Sequence, residues 1–232
     1  LHPSTFIFIS LLVTSPFIKP CKPTDSECML NSAKIALPYF AHGVEELGIT
    51  AIEPLAIKDV KADTGELKMS FRKIKVHNLS KCEFDSITRD PVKLTASITA
   101  HCPLVLNGEY TVGGNLFYLE IVGDGGFEIG GTIKTTVDLR LKTFNDEEGK
   151  KHYKVSGFDF KYEPLDKYDI KFENLFNGDR QKAEPIEKVL SESWKELILD
   201  VGRPVIKEGL TRLVNIIDKF FHNVPAEYLE IA

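Results

Sequence analysis

A chain of 232 residues with 43% hydrophobic residues can bury the core of one large domain or two small ones. Its formal net charge of −5, with 27% charged residues, gives no clustered basic footprint for nucleic acid. The same balance argues against binding to anionic membrane surfaces.

Phe6 to Val13 reads FIFISLLV, far short of the about 20 apolar residues that span a bilayer. It fits the apolar region of a secretory leader. Leu1 stands where a leader would carry Met, and no clean small-x-small pair marks a cleavage site between Ser10 and Pro16. Residues 1–19 therefore read as a truncated leader and 20–232 as one domain. The competing reading of the first residues is a buried strand.

Four cysteines follow, Cys21, Cys28, Cys82 and Cys102. An even count after a leader-like segment suggests disulfides and an extracellular setting. Between Cys21 and Cys28, Thr24-Asp25-Ser26-Glu27 forms a capping box that predicts a helix over about 25–46. Its apolar face would carry Cys28, Ala33, Leu37, Phe40, Ala41 and Val44. Pro38 should kink it and Gly48 end it. A Cys21–Cys28 bridge would pin the N-terminal segment to this helix. Cys82 and Cys102 flank an expected turn at Asp90-Pro91, so a hairpin would set them opposite each other; two free buried thiols are the alternative. Asn78-Leu79-Ser80 is a glycosylation sequon, usable at Asn78 if the chain is secreted.

Residues 52–173 read as β-rich. Leu67, Met69 and Phe71 alternate, and Ile74 and Val76 continue in the other parity, which predicts a bulge near Arg72-Lys73. Leu94 to Ala100 alternate with Cys102 on the same face. The clearest strand is 127–141, dry at Phe127, Ile129, Ile133, Val137, Leu139 and Leu141 and polar between them. A shorter strand at Phe117, Leu119 and Ile121 is expected before it, with the turn at Gly123 to Gly126. Asn145 to Lys150 is a polar hairpin loop, and the strand after it changes parity at Gly157.

From Pro185 to His222 apolar residues recur in steps of three and four. Pro185 suits a first turn. Pro204 after Gly202 should bend the helix without ending it. About 37 helical residues would run roughly 55 Å, and so long an apolar stripe needs an equally long partner. The predicted architecture is α+β: a strongly curved antiparallel sheet wrapped around a long C-terminal helix, an elongated tube with an internal hydrophobic cavity.

Motifs for chemistry are absent: no G-x-S-x-G, H-E-x-x-H, P-loop or EF-hand loop is present, and the histidines are scattered. Glu45-Glu46 reads as a solvated face over an acid pair, and Asp146-Glu147-Glu148 as a polar loop over a cation contact. We expect no metal, no cofactor and no enzyme activity. A tube that side chains do not fill leaves an apolar cavity for an apolar ligand. The candidate wall residues are Phe40, Phe71, Phe117, Leu119, Phe127, Ile129, Ile133, Phe158, Phe160, Trp194, Leu197 and Ile198. The expected partner is a small hydrophobic ligand, with no nucleic acid and no stable membrane insertion. The chain is expected to be a monomer, and a receptor partner stays open.

Three stretches resemble the insect takeout and juvenile-hormone-binding family. They are Cys21 to Cys28 with the following helix and Gly48-Ile49 to Glu53-Pro54-Leu55, then Gly108-Glu109-Tyr110-Thr111-Val112-Gly113-Gly114 running into Leu119 to Gly125, and finally Val224-Pro225-Ala226-Glu227-Tyr228-Leu229. The resemblance implies a tubular lipid-binding fold, a Cys21–Cys28 disulfide, and extracellular carriage of terpenoids, fatty acids or quinones. Juvenile hormone carriers proper have a second disulfide in the C-terminal half, and this chain has no cysteine after Cys102. It therefore looks like a takeout protein, a group linked to circadian output, feeding and chemosensation. The competing functions are an immune-type lipopolysaccharide binder, disfavoured by the net charge, an esterase, and a receptor-directed signal.

Overall fold

A computed structural model describes residues 17–116 and 119–231. The leader-like run Phe6 to Val13 lies outside the described residues. From Phe17 the chain is already part of the fold. Phe17 is buried and stacks on Tyr39 at 4.5 Å. The Lys19 N–H donates to Ser32 Oγ, which donates in turn to the Lys19 carbonyl.

Helix α1 spans Ser26–His42. Asp25, one residue past Thr24, is its cap and accepts from the Cys28 N–H at 2.9 Å. The helix ends four residues earlier than the periodicity suggests. Gly43 takes φ +85, and a Cβ there would sit 2.8 Å from the Ala51 nitrogen, so the chain turns where only glycine fits. Glu45–Leu47 forms a separate 3-10 turn closed by Gly48. The buried face is also rotated, onto Ser32, Ala36 and Ala41.

Eight strands form one antiparallel sheet: β1 Leu55–Ala56, β2 Val60–Lys61, β3 Lys68–His77, β4 Glu83–Asp90, β5 Thr95–Leu116, β6 Leu119–Asn145, β7 Lys151–Pro164 and β8 Asp169–Phe172. The long ribbon β5–β6 is its spine, paired from Thr95 with Arg140 to Leu116 with Leu119. On one edge β4 takes the first half of β5 and β3 the second. On the other, β8 takes the first half of β6 and β7 the second. The Cys82–Cys102 disulfide sits where the edge partner of β5 changes from β4 to β3. The register shift between Arg72 and Lys75 lies at the expected bulge, and the parity change of β7 lies opposite Arg140 and Leu141.

Gly123 to Gly126 is not a turn. These residues continue β6, and the glycines admit a crossing segment: a Cβ at Gly125 would lie 2.6 Å from the Glu173 carbonyl oxygen. Gly123 bridges to Leu175, and Asn174 Nδ2 donates to the Asp124 carbonyl.

The C-terminal helical run is broken into α2 Arg180–Glu192, α3 Trp194–Asp200 and α4 Arg203–Asn223. The run starts before Pro185, capped by Asp179, whose carboxylate accepts from the Gln181 and Lys182 N–H groups. Pro204 does end a helix: it has no N–H to give the Asp200 carbonyl, and the chain breaks at Val201-Gly202. Side chains then tie the helices to their surroundings. Tyr162 OH donates to the Leu199 carbonyl, the Val155 N–H to Asp218 Oδ1, and Asn223 Nδ2 to the Leu47 carbonyl.

The segment at Cys21 pairs with the segment at Leu229 to Ile231. The Cys21 N–H donates to the Leu229 carbonyl and the Ile231 N–H to the Cys21 carbonyl. Cys21 is bonded to Cys28, which fastens this pair to α1. Glu230 accepts from Arg89 at 2.6 Å and from Tyr153 OH at 2.7 Å, with the guanidinium 4.5 Å over the tyrosine ring.

Candidate functional site

The sheet curves around α2, α3 and α4, and a cavity of about 170 Å³ remains between them. Its lining follows β6 from Ile121 to Thr135, roughly 45 Å of strand. The cause is legible in side-chain volume. β3, β5 and β6 turn alternate apolar residues inward, and the facing helices set Leu190, Leu197, Val205, Leu210 and Leu213 against them with no side chain at Gly209. A Cβ placed on Gly209 would meet nothing within 4 Å. An apolar cavity of this size stays dry and takes an apolar molecule.

The wall is almost wholly hydrocarbon, and no charged side chain lines it among the described residues. Its side-chain polar atoms include three hydroxyls, those of Tyr110, Thr135 and Tyr168. Tyr110 is fully buried and donates to the Glu173 carbonyl at 2.7 Å. Burial, with the nearby Asp124 and Glu173 charges, pushes its phenol up to about 12. Tyr168 is buried too, its ring stacked on Trp194 at 5.6 Å and lying where a Cβ at Gly131 would stand. Burial holds its phenol above the ordinary value, with Asp166 adding to the shift. Both hydroxyls are therefore permanent donors at neutral pH.

The structure brings Phe71, Phe127, Ile129, Ile133, Leu197 and Ile198 together on this wall. It does not bring the other candidates there. Phe40, on α1, packs edge-on against Phe17 and Phe220. Leu119 is 41% exposed, because β6 begins there and does not turn at Gly123. Phe158 closes over Leu139, Leu141 and Val214 in a separate cluster. Phe160 lies between Phe158 and Tyr162, with the Arg203 guanidinium 5.2 Å from its ring. Trp194 stacks on Tyr168 and is not itself on the wall. Phe117 lies outside the described residues. The emphasis on aromatics missed aliphatic positions such as Met69, Leu104 and Leu106, whose alternation was a visible signal. It also missed Tyr168 and Gly209, which nothing local in the sequence marks.

Acid–base pairs lie off the cavity wall. His101 Nδ1 is 2.8 Å from Asp85 Oδ1, and His152 Nε2 is 3.1 Å from Asp146 Oδ2. Among the described residues, no three His, Cys, Asp or Glu are grouped to hold a metal ion. No described helix is long and apolar enough to cross a membrane. Asn78 is half-buried at the end of β3 with φ +69. Its N–H donates to Glu53 Oε1, while the Ser80 N–H and hydroxyl donate to Glu53 Oε2.

Comparison with known proteins agrees with this geometry. The family model for haemolymph juvenile hormone binding protein matches residues 5–230. The circadian clock-controlled protein daywake of Drosophila melanogaster is 26% identical over 226 residues, covering 90% of this chain and 85% of that protein. Its Drosophila yakuba counterpart is 24% identical over 228 residues with the same coverage. The crystal structure of Epiphyas postvittana Takeout 1 superposes with a TM-score of 0.89 at 24% identity, covering 93% of this chain and 100% of that one. At that identity the superposition establishes the fold.

Proposed function

The chain belongs to the haemolymph juvenile hormone binding protein family, and from that premise we propose that it is a secreted carrier enclosing a small hydrophobic ligand in the cavity. The observation that carries this reading is the wall itself: a long apolar lining inside a folded domain, with open space beside Gly209. Terpenoids, fatty acids and quinone-like molecules are the ligand classes to test. A carrier returns its ligand unchanged, whereas an esterase does not.

Secretion is supported by the two disulfides. The packing of Phe17 and the hydrogen bonds of Lys19 support cleavage of any leader before Phe17. A glycan at Asn78 is expected in the secreted protein; peptide N-glycosidase should lower its mass, and Asn78→Gln should abolish the shift. The daywake relatives carry a clock-controlled name, so we extend daily cycling of abundance to this chain as a proposal that a transcript time course tests.

The decisive experiment is to purify the full chain from an oxidising host, extract it with organic solvent and weigh what comes out. One dominant apolar mass at stoichiometric yield, unchanged after incubation, is expected. A chain that emerges empty and takes up no fluorescent long-chain ester would overturn the carrier reading.

A further inference from the structure

The β5–β6 ribbon changes its edge partner once on each side, and the two changes lie opposite each other. On the β5 side, β4 pairs as far as His101 and β3 takes over from Val105. On the β6 side, β7 pairs as far as Ile133 and β8 takes over from Gly130. The residues at the two breaks are cross-strand partners: Cys102 with Ile133, Pro103 with Thr132 and Leu104 with Gly131. The sheet is thus interrupted on both edges at one level. The first break is closed covalently by the Cys82–Cys102 disulfide. The second is crossed by Leu165 to Tyr168, the four residues between β7 and β8. We propose that this second break is the door through which ligand enters and leaves the cavity, with Leu165 to Tyr168 as its lid. This deepens the carrier reading and rests on it.

Within those four residues the lid runs from solvent, with Leu165 48% exposed, to the cavity wall at Tyr168, 6% exposed. Two hydrogen bonds tether it to one residue of β6. The Leu165 N–H donates to the Thr132 carbonyl at 2.9 Å, and the Thr132 N–H donates to Asp166 Oδ1 at 2.7 Å. The Tyr168 ring takes the space of the side chain that Gly131 lacks; a Cβ there would lie 2.5 Å from it. The ring also stacks on Trp194. Trp194 opens α3, a helix of seven residues set off by the breaks at Ser193 and at Val201-Gly202. Ile133 on one side of the break and Ile170 on the other both line the cavity. Lifting the lid with its tyrosine therefore opens the cavity sideways, between β7 and β8. Two hydrogen bonds and one aromatic stack can open locally while the sheet stays folded, whereas the disulfide opposite cannot.

The test is kinetic. The delipidated full chain should be mixed with the fluorescent methyl ester of parinaric acid, and association and dissociation rates should be read separately. Asp166→Ala removes one tether and should raise both rates about 3- to 10-fold, with the equilibrium affinity nearly unchanged. Thr132→Cys combined with Leu165→Cys sets two thiols across the lid, at residues that continue the pairing of Ile133 with Pro164. Closing that bond should slow both rates by about 10-fold or more against the same variant before oxidation. Ile121→Ala, on the wall far along β6 from the break, should change dissociation and affinity together and leave association as it was. The same pattern in Asp166→Ala would make the lid ordinary wall and overturn the proposal. A closed bond that leaves both rates unchanged overturns it too, and leaves the carrier reading standing. Melting curves establish that each variant is folded; if Asp166→Ala is not, the cross-linked chain decides. A parent chain that takes up no ester overturns the carrier reading itself.

Discussion

The two ends of the curved sheet are built from one strand and differ in what is set against it. From Val137 to Leu141, β6 packs Leu139 and Leu141 on Val214, and Phe158, Ile217 and Phe221 close over them. This end is solid. From Ile121 to Thr135 the same alternation faces Leu197, Val205, Gly209 and Leu213, and space remains. The strand pattern is alike at both ends. The hollow is a property of the volume the helices bring, so a tube of this kind is tuned from its helix.

The sharpest way to break that comparison is truncation at each end. Leu139, 1% exposed, should cost about 2–5 kcal/mol as Leu139→Ala, because a new void opens in a filled cluster. Ligand affinity should not change. Leu213→Ala, on the cavity wall, should cost only about 1–2 kcal/mol, since space already adjoins that side chain, and should change affinity. Equal costs in urea unfolding would show that the two ends are packed alike.

The disulfides test the hollow end next. Cys102 lines the cavity, and its bond to Cys82 spans 20 residues of sequence. Replacing both by serine should cost about 3 kcal/mol and also weaken ligand binding. Replacing Cys21 and Cys28, only 7 residues apart, should cost somewhat less and leave binding intact. Thermal unfolding and the same ligand titration separate the two.

How far the sequence reveals this arrangement follows from the range of each signal. Local signals were sufficient for the architecture. Alternation from Phe127 to Leu141 located β6, the Arg72 bulge and the parity change at Gly157 were visible, and the three-four spacing located the C-terminal helices. Signals that depend on a distant partner were misleading. Gly123 to Gly126 looks like a turn because the reason for those glycines, Tyr110 and the segment from Glu173 to Leu175, lies elsewhere in the chain. Phe158 and Phe160 alternate as wall residues should, yet they belong to the solid end, because only the position of α4 decides which end is filled. Pro204 is visible in the sequence, but whether a proline bends or ends a helix depends on whether the preceding turn continues around it.

Gly209 offers a smaller and more selective change. Gly209→Ala puts a methyl into open space on a helix and should stabilise by about 0.5–1 kcal/mol. Gly209→Phe should keep the chain folded and exclude the ligand, converting the hollow end into a second solid one. Loss of ligand uptake with an unchanged or raised melting temperature is the expected pair of results. Retained binding in Gly209→Phe would mean that the cavity is not set from the helix.

The smallest effect is the dependence of the hollow end on pH. Leu55, Val76 and Leu79 line the cavity, and the Glu53 carboxylate ties their two segments together through Asn78 and Ser80. Burial alone would raise that carboxyl, but the Ser80 and Asn78 N–H groups, the Ser80 hydroxyl and nearby His77 hold it below its ordinary 4.5. A carboxyl lowered by folding adds stability that is complete above its unfolded value and disappears as pH falls through the folded one. Glu53→Gln should therefore be less stable than the parent at neutral pH, and the gap should close below about pH 4.5. Amide exchange at Asn78 and Ser80 should rise in the variant at neutral pH while β7 stays protected. A gap that persists unchanged into acid would mean that the glutamate holds these segments by shape, not by charge.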